Sequence, residues 1–142
     1  MSADEPTRGE RNHNPGDIER GVIVWLGQLP DSQATDERFC QFDTPLHGIR
    51  ALCRVLVNYQ RLDGARTLAQ MVQRFAPPPE NDTAAYLGKL CATLGLAPDA
   101  APDLTDPVEL ARVARSFIVE EQGRCIYDDY VISRAAAMAV YR

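Results

Sequence analysis

The sequence predicts a mainly α fold, strictly α+β, with about five helices around one core and a small β-hairpin near the N-terminus. Three observations predict it. From residue 44 to the end, apolar residues recur at helical spacing; proline, glycine and small polar residues sit where such segments should start and stop; and only two short runs before residue 44 are β-rich.

Residues 1 to 20 are polar and contain Asn12, Asn14, Pro15 and Gly16, so they read as loop, with a flexible start over residues 1–6 and at most a short turn around Asp17 to Arg20. Val22-Ile23-Val24-Trp25, closed by Gly27, and Phe39-Cys40-Gln41-Phe42 then read as the two strands of the hairpin. Their polar connection, residues 28–37, carries Pro30, Asp31, Ser32, Asp36 and Glu37. At Thr44 the period changes. Thr44 before Pro45 is an N-cap followed by proline at the first helical position, and Leu46, Ile49, Leu52, Cys53 and Leu56 form one stripe that Gly64 stops. Thr67 to Phe75 repeats the pattern through Leu68, Met71 and Val72, and Pro77-Pro78-Pro79 ends it. Asp82 or Thr83 caps a third helix carrying Leu87, Leu90, Cys91 and Leu94, with Gly95 as its stop. After a proline- and aspartate-rich link at 96–105, Asp106, Pro107 and Glu109 make a capping-box-like start. Leu110, Val113, Ala114, Phe117 and Ile118 share one face of this fourth helix, and Gly123 closes it. A last helix fits residues 129–141 through Val131, Ile132, Ala135, Met138 and Ala139.

A chain of 142 residues has the length of one domain. Fifteen basic against twenty acidic side chains give a net charge of −5, the wrong sign for tracking a phosphate backbone, so no nucleic-acid partner is expected. No run approaches the roughly 18 to 20 apolar residues that span a bilayer, and the first residues carry no apolar stretch of signal-peptide type, so neither membrane insertion nor export by the general route is expected. Cys40, Cys53, Cys91 and Cys125 are scattered without a C-x-x-C; two disulfides are countable, but the apolar surroundings of three of them favour buried free thiols.

The side chains restrict the chemistry. His13 and His47 are the only histidines, neither stands beside a recognisable nucleophile, and no Cys/His spacing forms a zinc site, so no metal is expected. Phosphate-cradling glycine motifs are absent, and no cofactor is implied. Carboxylates remain. Glu10 and Glu19 lie nine residues apart across the Asn14-Pro15-Gly16 turn, so a chain reversal could bring both to one cleft. Glycoside hydrolysis needs such a pair, one carboxyl protonated to donate to the leaving oxygen, the other ionised. The bland alternative is that they are solvated acids in a polar loop. Likewise Ala76 to Tyr86 is either a rigid connector or a loop whose Asn81 amide and Tyr86 ring line a sugar groove, and Trp25 is either a core anchor or a sugar platform.

Taken together, R-N-x-N-P-G-D-I-E at 11–19, W-L-G at 25–27, F-x-x-F at 39–42, G-I-R-A-L at 48–52 and A-P-P-x-E-N-D-T-x-x-Y at 76–86 resemble a family found in phage and prophage proteins labelled virion or structural proteins. The same segments resemble the lysozyme-like C-terminal domains of some type VI secretion effectors that cut peptidoglycan. The likeness runs over about residues 7–140. It implies one lysozyme-like domain over residues 1–142 and a muramidase-type peptidoglycan hydrolase, a lytic transglycosylase being the close variant. Carried over by position, Glu10 and Glu19 match the glutamates associated with activity, with Asn14, Trp25, Asn81 and Tyr86 as the expected substrate-binding set. Glu10 is the expected general acid and Glu19 the base or stabiliser, or the reverse; Asp43 and Glu37 stand in reserve. The chain has HNPGD where the commoner form is NNPGN, which touches His13 and Asp17. The implied partners are glycan strands and, for an antibacterial toxin, an immunity protein. The implied route is synthesis in the cytoplasm and delivery to a target cell wall by a secretion machine or virion. A non-catalytic virion structural or glycan-binding domain is the alternative.

Overall fold

The computed structural model describes residues 5–141; residues 1–4 of the expected flexible start lie outside them. Five long helices form where the stripes place them, and capping chemistry explains the boundaries of the first four. We name them in chain order after a short first helix, α1 (Arg8–Arg11): α2 (Pro45–Leu62), α3 (Leu68–Phe75), α4 (Thr83–Leu94), α5 (Pro107–Gln122) and α6 (Asp129–Tyr141). Thr44 accepts from the His47 N–H at 3.3 Å and Pro45 opens α2, while Thr67 and Gln70 close a reciprocal capping box on α3. Asp82, not Thr83, caps α4 by accepting from the Ala85 N–H at 3.1 Å; the Thr83 hydroxyl instead donates to the Ala76 carbonyl. Asp106 caps α5 through Val108 N–H, and Glu109 turns to Arg112 rather than back to the cap. Gly95 and Gly123 end α4 and α5 in the left-handed region, where only a residue without a Cβ sits unstrained.

Helix α2 is the central rod, packed against α3, α5 and α6. Its buried stripe of Ile49, Leu52, Cys53, Leu56 and Val57 meets Leu68, Met71 and Val72 of α3, Leu110, Val113, Phe117 and Ile118 of α5, and Ile132 and the alanines of α6. The alanines let α6 approach closely, since a helix face of small side chains leaves room for a neighbouring backbone. All four cysteines are free, three of them buried, and burial pushes the Cys53 thiol up to about 12. The free-thiol reading therefore holds. No helix among the described residues is long and apolar enough to cross a membrane.

Two expectations for the N-terminal part are corrected. Residues 1–20 are not all loop: Thr7 and Glu10 form a capping box, the Glu10 N–H donating to the Thr7 hydroxyl at 3.1 Å and the Thr7 N–H to Glu10 Oε1 at 2.9 Å, which starts α1. The hairpin of 22–25 with 39–42 does not form, and no strand is present among the described residues. Residues 38–43 instead bond two separate segments. Arg20 N–H reaches the Arg38 carbonyl at 2.8 Å and Cys40 N–H the Ile18 carbonyl at 2.9 Å; further on, Leu29 N–H reaches Gln41 and Asp43 N–H reaches Gly27. Residues 21–26 loop out between them, leaving Val22, Ile23, Val24 and Leu26 exposed.

The reason lies in competition for backbone groups. An isolated two-stranded hairpin is marginal, and two buried polar side chains here offer better partners. Asn14, fully buried, donates to the carbonyls of Ile18 (3.0 Å) and Cys40 (2.9 Å) and accepts from Ile18 N–H (3.0 Å). Asp36 takes Arg8 in a two-pronged grip at 2.8 Å, Asn12 Nδ2 at 2.8 Å and the backbone N–H groups of Arg38 and Phe39 at 2.9 Å. The N-terminal region is thus tied by a polar knot, with only Cys40, Phe42 and Ala51 as its own buried apolar cluster.

Candidate functional site

Where the N-terminal segment meets the helices, a cleft of about 840 Å³ opens. One wall is Gly16 to Glu19 with Arg38 and Phe39; the other comes from α2 (Val55, Tyr59), the end of α3 with the following loop (Phe75, Pro77, Glu80, Asn81), and Glu121 of α5. Phe75 lines the cleft, and behind Phe75 lie Phe117, edge-on to it at 4.8 Å between ring centres, and Tyr86, 6.1 Å from Phe117.

Within this cleft two carboxyl groups, Asp17 and Glu121, both line the walls and lie close enough for each to shift the other's ionisation. Burial is the leading cause that raises both pKa values, and proximity of the two acids adds to it for Glu121, which is pushed from an ordinary 4.5 up to about 8. Glu121 Oε2 accepts from the Tyr86 hydroxyl at 2.9 Å, and burial beside that carboxyl drives the Tyr86 phenol well above its usual range. Asp17 accepts from the Gln122 amide at 3.1 Å. A carboxyl whose pKa is raised toward neutrality beside a second acid is the electrostatic arrangement from which a general acid works.

The expected residues divide. Glu19 and Asn81 line the cleft. The Glu19 carboxylate is more than half exposed and held by Arg38, whose Nε and Nη2 donate to one oxygen at 2.9 and 2.6 Å, rather than by its neighbour Arg20. Tyr86 acts from beneath, through Glu121. Glu10 is not in the cleft walls: its side chain is 1% exposed, and Arg124 donates to both its oxygens at 3.0 and 2.7 Å. That guanidinium, with the Thr7 N–H, outweighs burial and lowers the Glu10 pKa, the opposite of what a general acid requires. The expected convergence of Glu10 with Glu19 on one pit is therefore not what the fold builds; Asp17 and Glu121 stand there. Asn14 is consumed in bracing the loop, and Trp25 packs on the Cys40, Phe42 and Ala51 cluster, as a core anchor would. The reserve pair is elsewhere: Asp43 binds His47 at 2.6 Å, and Glu37 faces a separate polar hollow with Arg8 and Arg11. His13 Nδ1 lies 3.0 Å from the Phe42 carbonyl. Among the described residues no three potential metal ligands come together.

The signal for Glu121 was present in the sequence. The buried stripe of α5 steps from Leu110 to Val113 and Ala114, then to Phe117 and Ile118; one turn on, the same face holds Glu121 and Gln122. Polar residues that continue an apolar stripe are buried by the helix period whatever their chemistry, and a buried acid is a candidate site.

Compared with known proteins, the chain is similar to Protein P5 of Pseudoalteromonas phage PM2, with 36% identity over 95 residues. That match covers 65% of this chain and 58% of P5, so the chain spans little more than half the length of the relative. No protein-family model matches the chain. The likeness to a phage protein agrees with the phage side of the resemblance read from the sequence motifs.

Proposed function

We propose that the protein is a phage-associated peptidoglycan glycoside hydrolase of muramidase type, and that Glu121 with Asp17, rather than Glu10 with Glu19, supplies its acid chemistry. The observation that carries this reading is the pair of neighbouring carboxyls, Asp17 and Glu121, lining one cleft large enough for sugar rings. Glu121, protonated at neutral pH, donates its proton to the glycosidic oxygen as the bond to the anomeric carbon breaks. The Asp17 and Glu19 carboxylates stabilise the positive charge that develops. Water then adds its hydroxyl to the anomeric carbon and returns a proton to the carboxylate pair, so the acid is restored. Asn81 on the rim offers its amide to sugar hydroxyls, and Tyr59 and Phe75 offer ring surface.

In this reading the partner is the glycan strand, carriage by a virion is favoured by the likeness to a phage protein, and a cognate immunity protein would be one that fills the cleft. The test is incubation of the purified chain with sacculi. Soluble muropeptides with new reducing ends are expected, anhydro ends would make it a transglycosylase, and binding without release would make it a glycan-binding virion domain. Glu121→Gln should lower release by about 100-fold or more while leaving the fold intact; full activity in this variant overturns the assignment.

A further inference from the structure

The residue after Glu121 is tied into the same cleft by its side chain. Gln122 is 8% exposed and every polar atom of its side chain is engaged. Its Nε2 donates to the Pro15 carbonyl at 3.0 Å and to Asp17 Oδ2 at 3.1 Å, while its Oε1 accepts from the Thr7 hydroxyl. Asp17 itself sits at φ 49°, a left-handed conformation uncommon outside glycine, with its N–H donating to the Asn14 carbonyl at 3.0 Å. Gly9 of α1 packs so closely on this arrangement that a Cβ there would overlap both the Gln122 amide and Asp17 Oδ1.

We infer that Gln122 is a positioning residue of the cleft, its carboxamide fixing the Asp17 carboxylate beside Glu121 and so deciding which of the two acids carries the proton. This rests on the acid role proposed above for Glu121. The physical reason is that a donor on Asp17 favours its ionised form, and an ionised Asp17 beside Glu121 favours the protonated form of the latter. The other groups facing the pair are Arg8 and Arg38, which favour the Asp17 anion, and Tyr86 and Glu120, which face Glu121 from α4 and α5. None of them replaces the Gln122 donor, because none also holds the Pro15 carbonyl that fixes the turn.

The test is carboxyl-carbon NMR titration of the full chain with Gln122→Met, which keeps length and removes the donor. The Asp17 midpoint should rise and the Glu121 midpoint fall, by roughly one pH unit, and the alkaline limb of the sacculus-digestion profile should move down with Glu121. Midpoints unchanged to within a few tenths of a unit overturn the inference. Should the variant not fold, the wild-type chain decides: the Gln122 side-chain amide resonances should follow the titration of the pair, and a flat response overturns it. A wild-type chain that digests no sacculi would sink the hydrolase reading while leaving both NMR tests of Gln122 in force.

Discussion

At the residue scale, the Glu10 carboxylate is taken up in a buried tie to Arg124. Its bidentate bond to Arg124 is the main tie between α1 and the segment that follows α5, and Glu10→Gln should lower unfolding free energy by about 2 to 4 kcal/mol by urea titration. Activity lost in that variant should return at lower temperature, where the fold is restored, whereas Glu121→Gln should stay inactive at every temperature at which it is folded. The pH profile belongs to the same scale. With Glu121 raised to about 8, glycan cleavage should decline above that pH as the acid ionises, and an activity that instead rises through pH 9 would exclude Glu121 as the donor. The role of Glu10 was not legible from spacing, and that of Glu121 only once the α5 stripe is carried one turn further. The T-x-x-E of Thr7 to Glu10 is a capping signature, and capping already places the Glu10 carboxylate on the Thr7 N–H; the partner 114 positions away could not be read from the sequence. Glu121 was hidden by its neighbours, since an acid beside Glu120 near a helix end looks like a solvated face until the stripe is extended one more turn.

At the element scale, the long helices were legible because each stripe is bounded by its own cap and stop, all local chemistry. The hairpin was not, because its existence depended on a covering surface that the fold does not provide and on Asn14 and Asp36 claiming the backbone first. One motif of the N-terminal half has an element-level explanation. Gly48, in the first turns of α2, lies against the His13 carbonyl so closely that a Cβ would overlap it, with Phe42 N–H donating to Asn12 and His13 Nδ1 near Phe42 O in the same layer. Gly48→Ala should therefore cost about 2 kcal/mol or more despite alanine's better helix propensity, seen as a lower urea midpoint. Ala substituted at Gly88 of α4, where nothing lies within 4 Å, should instead be neutral or stabilising.

At the scale of the whole molecule, the two kinds of carboxyl set opposite pH limbs. Glu10, Asp36 and Asp43 are held below their ordinary values by Arg124, Arg8 and His47, so their contributions are present above the unfolded pKa and are lost as pH falls through acid. Glu121 and Asp17 are held above theirs, so their contribution is present in acid and lost as pH rises, for Glu121 from 4.5 toward about 8. Stability measured by urea midpoint should peak at mildly acid pH; Glu121→Gln should flatten the alkaline limb and Asp36→Asn the acid one. The order in which the parts can assemble follows from the Arg124 tie. Residues 10 and 124, and residues 17 and 122, are joined across more than a hundred positions, so the acid pair cannot form until α5 and the segment after it have left the ribosome. On the proposed hydrolase reading, the centre would stay unarmed until α5 is made, and a nascent fragment lacking α5 and α6 would be harmless to the cell that makes it.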